Sequence, residues 1–129
     1  MLSLRLSSEE YGKMFGKQKK EKYRNVRCSW MGIKFQSKRE RDRFIILDAA
    51  LRDGEITGLQ RQVKYQLLPK QYINGRLVER EICYKADFVY YDKNGHLVVE
   101  DAKGFRRNAA YIQKRKMMLW FHGIQVKEV

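Results

Sequence analysis

The sequence has two cysteines, few acidic residues and no long apolar run, and each shortage excludes a class of protein. Cys28 and Cys83 form no CxxC pair, and His96 and His122 do not stand at the spacing of zinc ligands. We therefore expect two reduced cysteines in a cytoplasmic protein, with neither a disulfide nor a zinc site. No apolar run approaches the length of a membrane span, and no basic region followed by an apolar stretch marks an export signal, so no membrane partner is expected.

Two common catalytic arrangements are also missing. The sequence has no set of residues typical of Ser or Cys nucleophile triads, and no glycine-rich loop of the kind that cradles phosphates, so ATP use is not expected. What the chain has instead is positive charge: 28 Lys and Arg against 15 Asp and Glu give a net charge of +13. This excess predicts an anionic partner, and nucleic acid is favoured over a membrane surface.

The length predicts a single folded domain with a basic arm. A chain of 129 residues can bury one core but not two, and its 43 % apolar content is that of a folded protein. Residues 1–27 are assigned to the N-terminal arm. Within it a short helix could begin at Ser7 and end near Gly16, and residues 17–27 carry six basic residues and one acidic residue. Residues 28–129 are assigned to the folded domain.

Apolar spacing predicts two helices. The first is expected to begin at Ser37, to bury Phe44, Leu47 and Leu51, and to end at Asp53-Gly54. The second is expected from about Asn108 to Phe121.

The same patterns predict three central strands before the second helix and one after it, at residues 63–68, 82–91, 97–102 and 124–129. Two short hairpins are expected to turn at Met31-Gly32 and Asn74-Gly75. A crossover helix between the third and fourth strands implies one parallel pairing, and therefore an α/β fold whose mixed central sheet is flanked by helices.

Two aspartates stand at inward positions of neighbouring strands. If side chains alternate strictly, Asp87 shares a face with Lys85 and Val89, and Asp101 shares a face with Val99 and Lys103. A carboxylate among apolar residues is costly unless it is compensated, and a divalent cation between Asp87 and Asp101 would compensate both. Two carboxylates can hold Mg²⁺, which activates a water and shields a phosphate, and a nearby lysine can neutralise the developing charge.

The loop between the two strands decides which carboxylate meets Asp87. A three-residue loop at Lys93-Asn94-Gly95, with a left-handed Gly95, pairs Asp92 with His96 and sets Asp87 across from Asp101. A four-residue loop sets Asp87 across from Glu100. The Asn-Gly sequence favours the three-residue loop, and a bulge could reverse this.

Asp87 followed by Asp101-Ala102-Lys103 resembles the signature of the PD-(D/E)xK nuclease superfamily. The stretches GIKFQSKRERDRF, LQRQVKYQLLP, YKADFVYYDKNGHLVVEDAKG and GIQVKEV are similar to a family of small phage-encoded proteins in that superfamily, over roughly residues 23–129. The position before Asp87 departs from the signature, because it holds Ala86 in place of proline.

The resemblance implies a restriction-endonuclease-like α-β-β-β-α-β core in residues 28–129. It also implies Mg²⁺ dependence, with Mn²⁺ as a substitute, and DNA cleavage. Relatives of this size include Holliday-junction resolvases and the end-cleaving subunits of some transposases. The metal ligands are then expected to be Asp87, Asp101 and the backbone carbonyl of Ala102, with Lys103 as the catalytic lysine.

Many members of the superfamily also carry a glutamate on the first core helix, and Glu40 matches that position as a catalytic and metal-binding residue. Glu40 has a second interpretation, because Ser37-x-x-Glu40 is also a capping box. Glu100 is the weaker carboxylate, for which a solvent-facing or ion-paired position is expected unless it replaces or assists Asp101.

Basic residues near the aspartates are candidates for DNA contacts. Arg106 and Arg107 follow the expected metal site directly and could hold the phosphates beside the scissile bond. Lys114 could contact a phosphate or only face solvent, and Lys85 could contact a phosphate or pair with Asp87.

The sequence therefore predicts a metal-dependent endonuclease, selective for branched DNA and acting as a homodimer in the cytoplasm of a bacterial host. Phage or host recombination and replication proteins are possible partners. The alternative is a non-catalytic nucleic-acid-binding or regulatory module on the same fold.

Overall fold

The computed structural model describes residues 27–102 and 108–129. The short helix expected between Ser7 and Gly16 lies outside these residues. The described chain forms helices α1 (Lys38–Arg52) and α2 (Ala109–His122), and strands β1 (Cys28–Trp30), β2 (Ile33–Phe35), β3 (Thr57–Leu68), β4 (Gln71–Ile73), β5 (Arg76–Glu79), β6 (Ile82–Tyr91), β7 (Leu97–Asp101) and β8 (Lys127–Glu128).

The central sheet has four strands in the order β3-β6-β7-β8. Strands β3 and β7 are both antiparallel to β6, whereas β8 runs parallel to β7, with Asp101 opposite Glu128. The single parallel pair follows from the crossover through α2, as predicted. Along the chain, the sheet and its helices occur as helix, three strands, helix, strand, so the predicted mixed α/β architecture is confirmed.

Helix α1 begins where the sequence predicted. Ser37 is its N-cap, and the Ser37 hydroxyl accepts a hydrogen bond from the Glu40 backbone N–H at 3.1 Å. Phe44 and Leu47 are buried, but Leu51 is 37 % exposed. The prediction for Leu51 was wrong because Ile56, just after the helix, packs against this core instead.

The two short hairpins β1–β2 and β4–β5 turn where they were predicted. In the second, Asn74 and Gly75 both adopt positive φ, at 51° and 79°, which is the geometry of the two-residue turn that favours Asn-Gly. Strand β3 is longer than predicted, because its polar first half, from Thr57 to Gln62, lacks the alternation of apolar residues that marks a strand.

Each helix packs on its own face of the sheet and forms a separate core. The α1 face contains Phe44 and Leu47 with Phe88 and Tyr90 of β6. The α2 face contains a second set of buried side chains, namely Leu67, Tyr84, Ala86, Val89, Val99, Tyr111, Met118 and Val126. No helix in the described ranges has the length and apolarity required to cross a membrane.

In the middle of β6, the alternate residues change from one face of the sheet to the other. Ala86 packs on the α2 face, yet Phe88, two residues later, packs on the α1 face. Strict alternation would put both on one face. The expectation that Asp87 continues a single alternating stripe was therefore wrong, because the backbone switches faces at this residue.

Strand β3 switches faces at the same level. Leu59 packs on the α1 face and Val63 on the α2 face. Between them Gln62 has a φ of 54°, a left-handed conformation that is uncommon outside glycine. Since Arg61 pairs with Phe88 and Val63 with Ala86, Gln62 lies opposite Asp87.

Candidate active site

The β6–β7 turn has the loop length that the sequence favoured. The Asp92 N–H donates to the His96 carbonyl at 2.9 Å, and Gly95, at a φ of 79°, donates its N–H to the Asp92 carbonyl at 3.0 Å. This is the three-residue loop that the sequence favoured, and the four-residue alternative was wrong. Phe88 pairs with Glu100, so one further step along this register sets Asp87 across from Asp101.

Strand β7 leaves β6 at this point. Ladder pairing ends with Phe88 and Glu100, and the Ala102 N–H donates to Asp87 Oδ2 at 2.8 Å instead of to a strand carbonyl. Asp87 is 7 % exposed. The Ala102 N–H therefore contacts the Asp87 carboxylate, and the role of the Ala102 carbonyl as a metal ligand stays a prediction.

Glu40 reaches the same place from helix α1. It is 5 % exposed, and its Oε1 accepts hydrogen bonds from Arg61 and from Gln62 Nε2, each at 3.2 Å. The Gln62 amide also donates to Asp87 Oδ1 at 3.2 Å. Ser37 still caps the helix, but the Glu40 carboxylate is turned towards the sheet. One neutral amide thus joins two buried carboxylates.

The electrostatic environment of Glu40 disfavours its charged form. Burial, and next the charge of Asp87, raise the pKa of Glu40, while hydrogen bonding and charge from Arg61 oppose the rise. The Arg61 guanidinium lies 4.2 Å from the centre of the Phe35 ring and 5.5 Å from that of Phe44. The Arg61 side chain therefore supplies positive charge beside Glu40.

Asp101 is held on the α2 face of the sheet. It is 1 % exposed, and its Oδ2 accepts a hydrogen bond from the Tyr84 hydroxyl at 2.6 Å. Burial, and then the hydrogen bond to Asp101, raise the pKa of Tyr84. Tyr84 is therefore a neutral donor to the carboxylate. Glu40, Asp87 and Asp101 are called the carboxylate site below.

Glu100 has a structural position outside this site. It is fully buried on the α1 face, where Arg43 donates to its two oxygens at 2.8 and 2.6 Å and Tyr90 donates through its hydroxyl. Lys127 Nζ lies 3.9 Å away. Burial and this carboxylate raise the pKa of Tyr90 to about 12. The ion-paired interpretation of Glu100 is confirmed, and the solvent-facing one was wrong.

The predicted DNA-binding residues are distributed over different parts of the chain. Lys85 is exposed on β6, directly opposite Lys64 of β3. Lys114 lines a groove with Ile82 and Cys83, near the β4–β5 end of the sheet. The other two candidates, Arg106 and Arg107, lie outside the described residues, as does the predicted catalytic lysine, Lys103.

The donor set of the carboxylate site has the chemistry that Mg²⁺ requires, because it consists of buried carboxylate oxygens. Within residues 27–102 and 108–129, no three His, Cys, Asp or Glu side chains form a preassembled metal-binding group. Protein donors occupy the oxygens instead: Gln62 and the Ala102 N–H on Asp87, and Tyr84 on Asp101. A cation would relieve the repulsion between Glu40 and Asp87 that raises the pKa of Glu40.

Sequence reasoning missed three residues of this site: Arg61, Gln62 and Tyr84. The signal for the first two was the run of polar residues in β3, which has no place on an apolar strand face. Tyr84 gave no signal, because a tyrosine on a central strand is an ordinary core residue.

Residues 11–129 match the family described as a protein of unknown function (DUF1064). The chain belongs to this family. The matched part of this family member includes every described helix and strand and all three residues of the carboxylate site. Neither a curated protein nor a solved structure matches the chain.

Proposed function

We propose that this protein is a metal-dependent DNA endonuclease of the PD-(D/E)xK type, with a restriction-endonuclease-like core. The observation that carries the proposal is the sharing of the Gln62 amide by Glu40 and Asp87, 3.2 Å from an oxygen of each. Clustered buried carboxylates oppose folding unless a ligand or protein donors compensate them, and they occur often at functional sites. Asp101, buried and next after the last paired residue Glu100, is the proposed third member.

In this proposal Glu40, Asp87, Asp101 and the carbonyl of Ala102 hold Mg²⁺, or Mn²⁺ in its place. The bound metal would lower the pKa of a water and shield the charge on the phosphate. Asp87 is held by Gln62 and the Ala102 N–H, and Asp101 by Tyr84, so both carboxylates have defined positions in the fold. Lys103 is the candidate for stabilising the developing charge.

The proposed substrate is branched DNA, of the Holliday-junction kind. A single small domain with a net charge of +13 has strong attraction for phosphates but little surface for reading a long sequence. Two cuts across a junction require two sites, so the proposed active form is a homodimer. Two free cysteines agree with the cytoplasm of a bacterial host, where phage or host recombination and replication proteins are the candidate partners.

A cleavage panel tests the proposal. Purified protein is incubated with a four-way junction, a flap, a single strand and a linear duplex, in Mg²⁺, in Mn²⁺ and in EDTA. Cleavage of branched DNA is expected in both metals and not in EDTA. Asp87→Asn and Asp101→Asn are expected to lower the rate at least about a hundredfold, since each removes a metal ligand.

The matched control is Asp42→Asn, which makes the same chemical change at an exposed position on α1 whose partner is Arg41. It should cut at the wild-type rate. DNA binding in EDTA should persist in both site variants, because losing an anion does not weaken attraction for phosphate. Wild-type rates in both site variants would overturn the assignment of cleavage to this site.

A non-catalytic nucleic-acid-binding or regulatory module is the second candidate. It is favoured by the hydrogen bonds that Asp87 and Asp101 already receive from protein donors, since a satisfied buried network can be purely structural. The same panel separates the two. A module of this kind binds DNA but leaves every substrate uncut in either metal.

A further inference from the structure

Two lysines stand directly opposite each other on neighbouring strands. Lys64 of β3 is paired with Lys85 of β6, and both are exposed. Like charges at directly opposed positions destabilise an antiparallel pair. The hydrogen bonds from Gln66 at 3.1 Å and the Cys83 thiol at 3.4 Å, and after them the charge of Lys64, lower the pKa of Glu81, so this carboxylate already has two other partners. The direct pairing of the two lysines therefore opposes folding.

The lysine pair lies on a ribbon that leads away from the carboxylate site. Beyond Gln62 and Asp87, strands β3 and β6 remain paired as far as Leu68 and Ile82, whereas β7 has already ended at Asp101. At a rise of about 3.3 Å per residue, this ribbon extends roughly 17 Å past Asp87. One of its faces packs against α2 through Val63, Tyr65 and Tyr84, and the other face presents the lysine pair.

The hairpin β4–β5 continues the ribbon, and among the described helices and strands the main packing partner of each of its strands is the other. Every residue from 70 to 80 is exposed. Tyr72, paired with Leu77, is 59 % exposed, and Ile73, at the next position and hence on the other face, is 62 % exposed. The hairpin and its flanks carry three basic residues, Lys70, Arg76 and Arg80, against the single acid Glu79.

We propose that the lysine pair and the β4–β5 hairpin form a nucleic-acid track that guides DNA to the carboxylate site. Lys64 and Lys85 contact backbone phosphates beside the reacting bond, and the hairpin enters a groove, which a two-stranded ribbon fits. The occupant is DNA, because the lysine pair and the three basic residues of the hairpin and its flanks, against one acid, complement the negative charge of phosphates. The identity of the ligand rests on the proposed function.

The decisive variant is Lys64→Glu, which has opposite effects on folding and on binding. It replaces a repulsive cross-strand pair with an attractive one, so the melting temperature should rise. Binding to a fluorescent four-way junction, measured by anisotropy in EDTA at about 0.1 M salt, should weaken at least about tenfold, with a salt slope shallower by about one. Lys85→Glu should behave in the same way.

Lys93→Glu is the matched control, because Lys93 is exposed in the β6–β7 turn at the opposite end of β6. It should change junction affinity less than about threefold, as only general attraction is lost. Wild-type affinity in Lys64→Glu and Lys85→Glu, or equal losses in all three variants, would overturn the track.

The hairpin is tested separately with Ile73→Ser and Arg76→Glu at its tip. Both should lower junction affinity while sedimentation shows an unchanged oligomeric state. A change from dimer to monomer with either variant would show instead that a second copy occupies the hairpin. Since binding is measured without metal, these results do not depend on cleavage, and a protein that never cuts DNA can still pass or fail them.

Discussion

Gln62 lies opposite Asp87 with a left-handed backbone, at a φ of 54°, and its amide nitrogen is 3.2 Å from Asp87 Oδ1. The conformation costs about 1–2 kcal/mol in a residue with a side chain. It persists because the same amide also reaches Glu40 and so separates two anions. Strain held in place at a polar cluster is a common property of functional sites.

Substitutions at Gln62 distinguish the contribution of its side-chain amide to stability from the cost of its backbone conformation. Gln62→Ala loses the bridging amide and keeps the unfavourable φ, whereas Gln62→Gly loses the amide but accepts the φ freely. We expect both to be less stable than wild type in EDTA, with Gln62→Gly the more stable of the two by about 1 kcal/mol. Urea unfolding measures the difference. An alanine variant at least as stable as the glycine variant would contradict the strain.

Magnesium should affect these variants more than the wild type. Without the amide, the repulsion between Glu40 and Asp87 is unrelieved until a cation binds. The rise in melting temperature on adding Mg²⁺ should therefore be larger in Gln62→Ala than in the wild type, and absent in Asp87→Asn. The same rise in all three proteins would mean that the ion binds elsewhere.

The raised pKa of Glu40 predicts a pH-dependent cost to folding. A carboxyl group whose pKa is higher in the folded than in the unfolded protein holds its proton more tightly when folded. The free energy of unfolding therefore falls as the pH rises from about 4.5 through the raised pKa. Glu40→Gln carries no such charge and escapes this loss.

The stability difference between Glu40→Gln and the wild type should consequently shift in favour of the variant as the pH rises from 4 to 8. Thermal unfolding in EDTA across this range measures it. The variant should also cleave DNA far more slowly, because it lacks a metal ligand. A stability difference that stays constant with pH would contradict the raised pKa.

The ion pair between Arg43 and Glu100 should be a large contributor to folding. Removing the arginine leaves a fully buried carboxylate with Tyr90 and the distant Lys127 as its partners. Arg43→Met is expected to destabilise the protein by about 3 kcal/mol, measured by urea unfolding. Arg41→Met is the control, since its bridge to Asp42 is at the surface and should contribute almost nothing. Equal losses would show that burial does not set the strength of this pair.

The sequence could predict the elements that local signals define. Ser37 caps the first helix as expected, the second helix begins next to Asn108, and the Asn94-Gly95 sequence correctly favoured the three-residue loop. Each of these features depends on a few residues that are neighbours in the sequence, so the sequence alone can indicate it.

The sequence could not predict features that depend on distant contacts. Glu100 is paired with an arginine 57 residues earlier, and no local pattern joins them. The face switch at Gln62 and Asp87 was missed for a different reason. The assignment of alternate residues to one face assumes a strand without a break in its pleat. No residue type near Gln62 indicates that its backbone is left-handed.

The face switch also couples the lengths of two strands. Residues before and after it follow opposite inside-outside phases on both β3 and β6, and the two phases stay matched only because both strands switch together. Deleting one residue from β3 alone would invert half of that strand relative to its neighbour. Deletions and insertions near Gln62 should therefore be tolerated only with a compensating length change near Asp87. Length changes at the two positions are then expected to occur together during evolution.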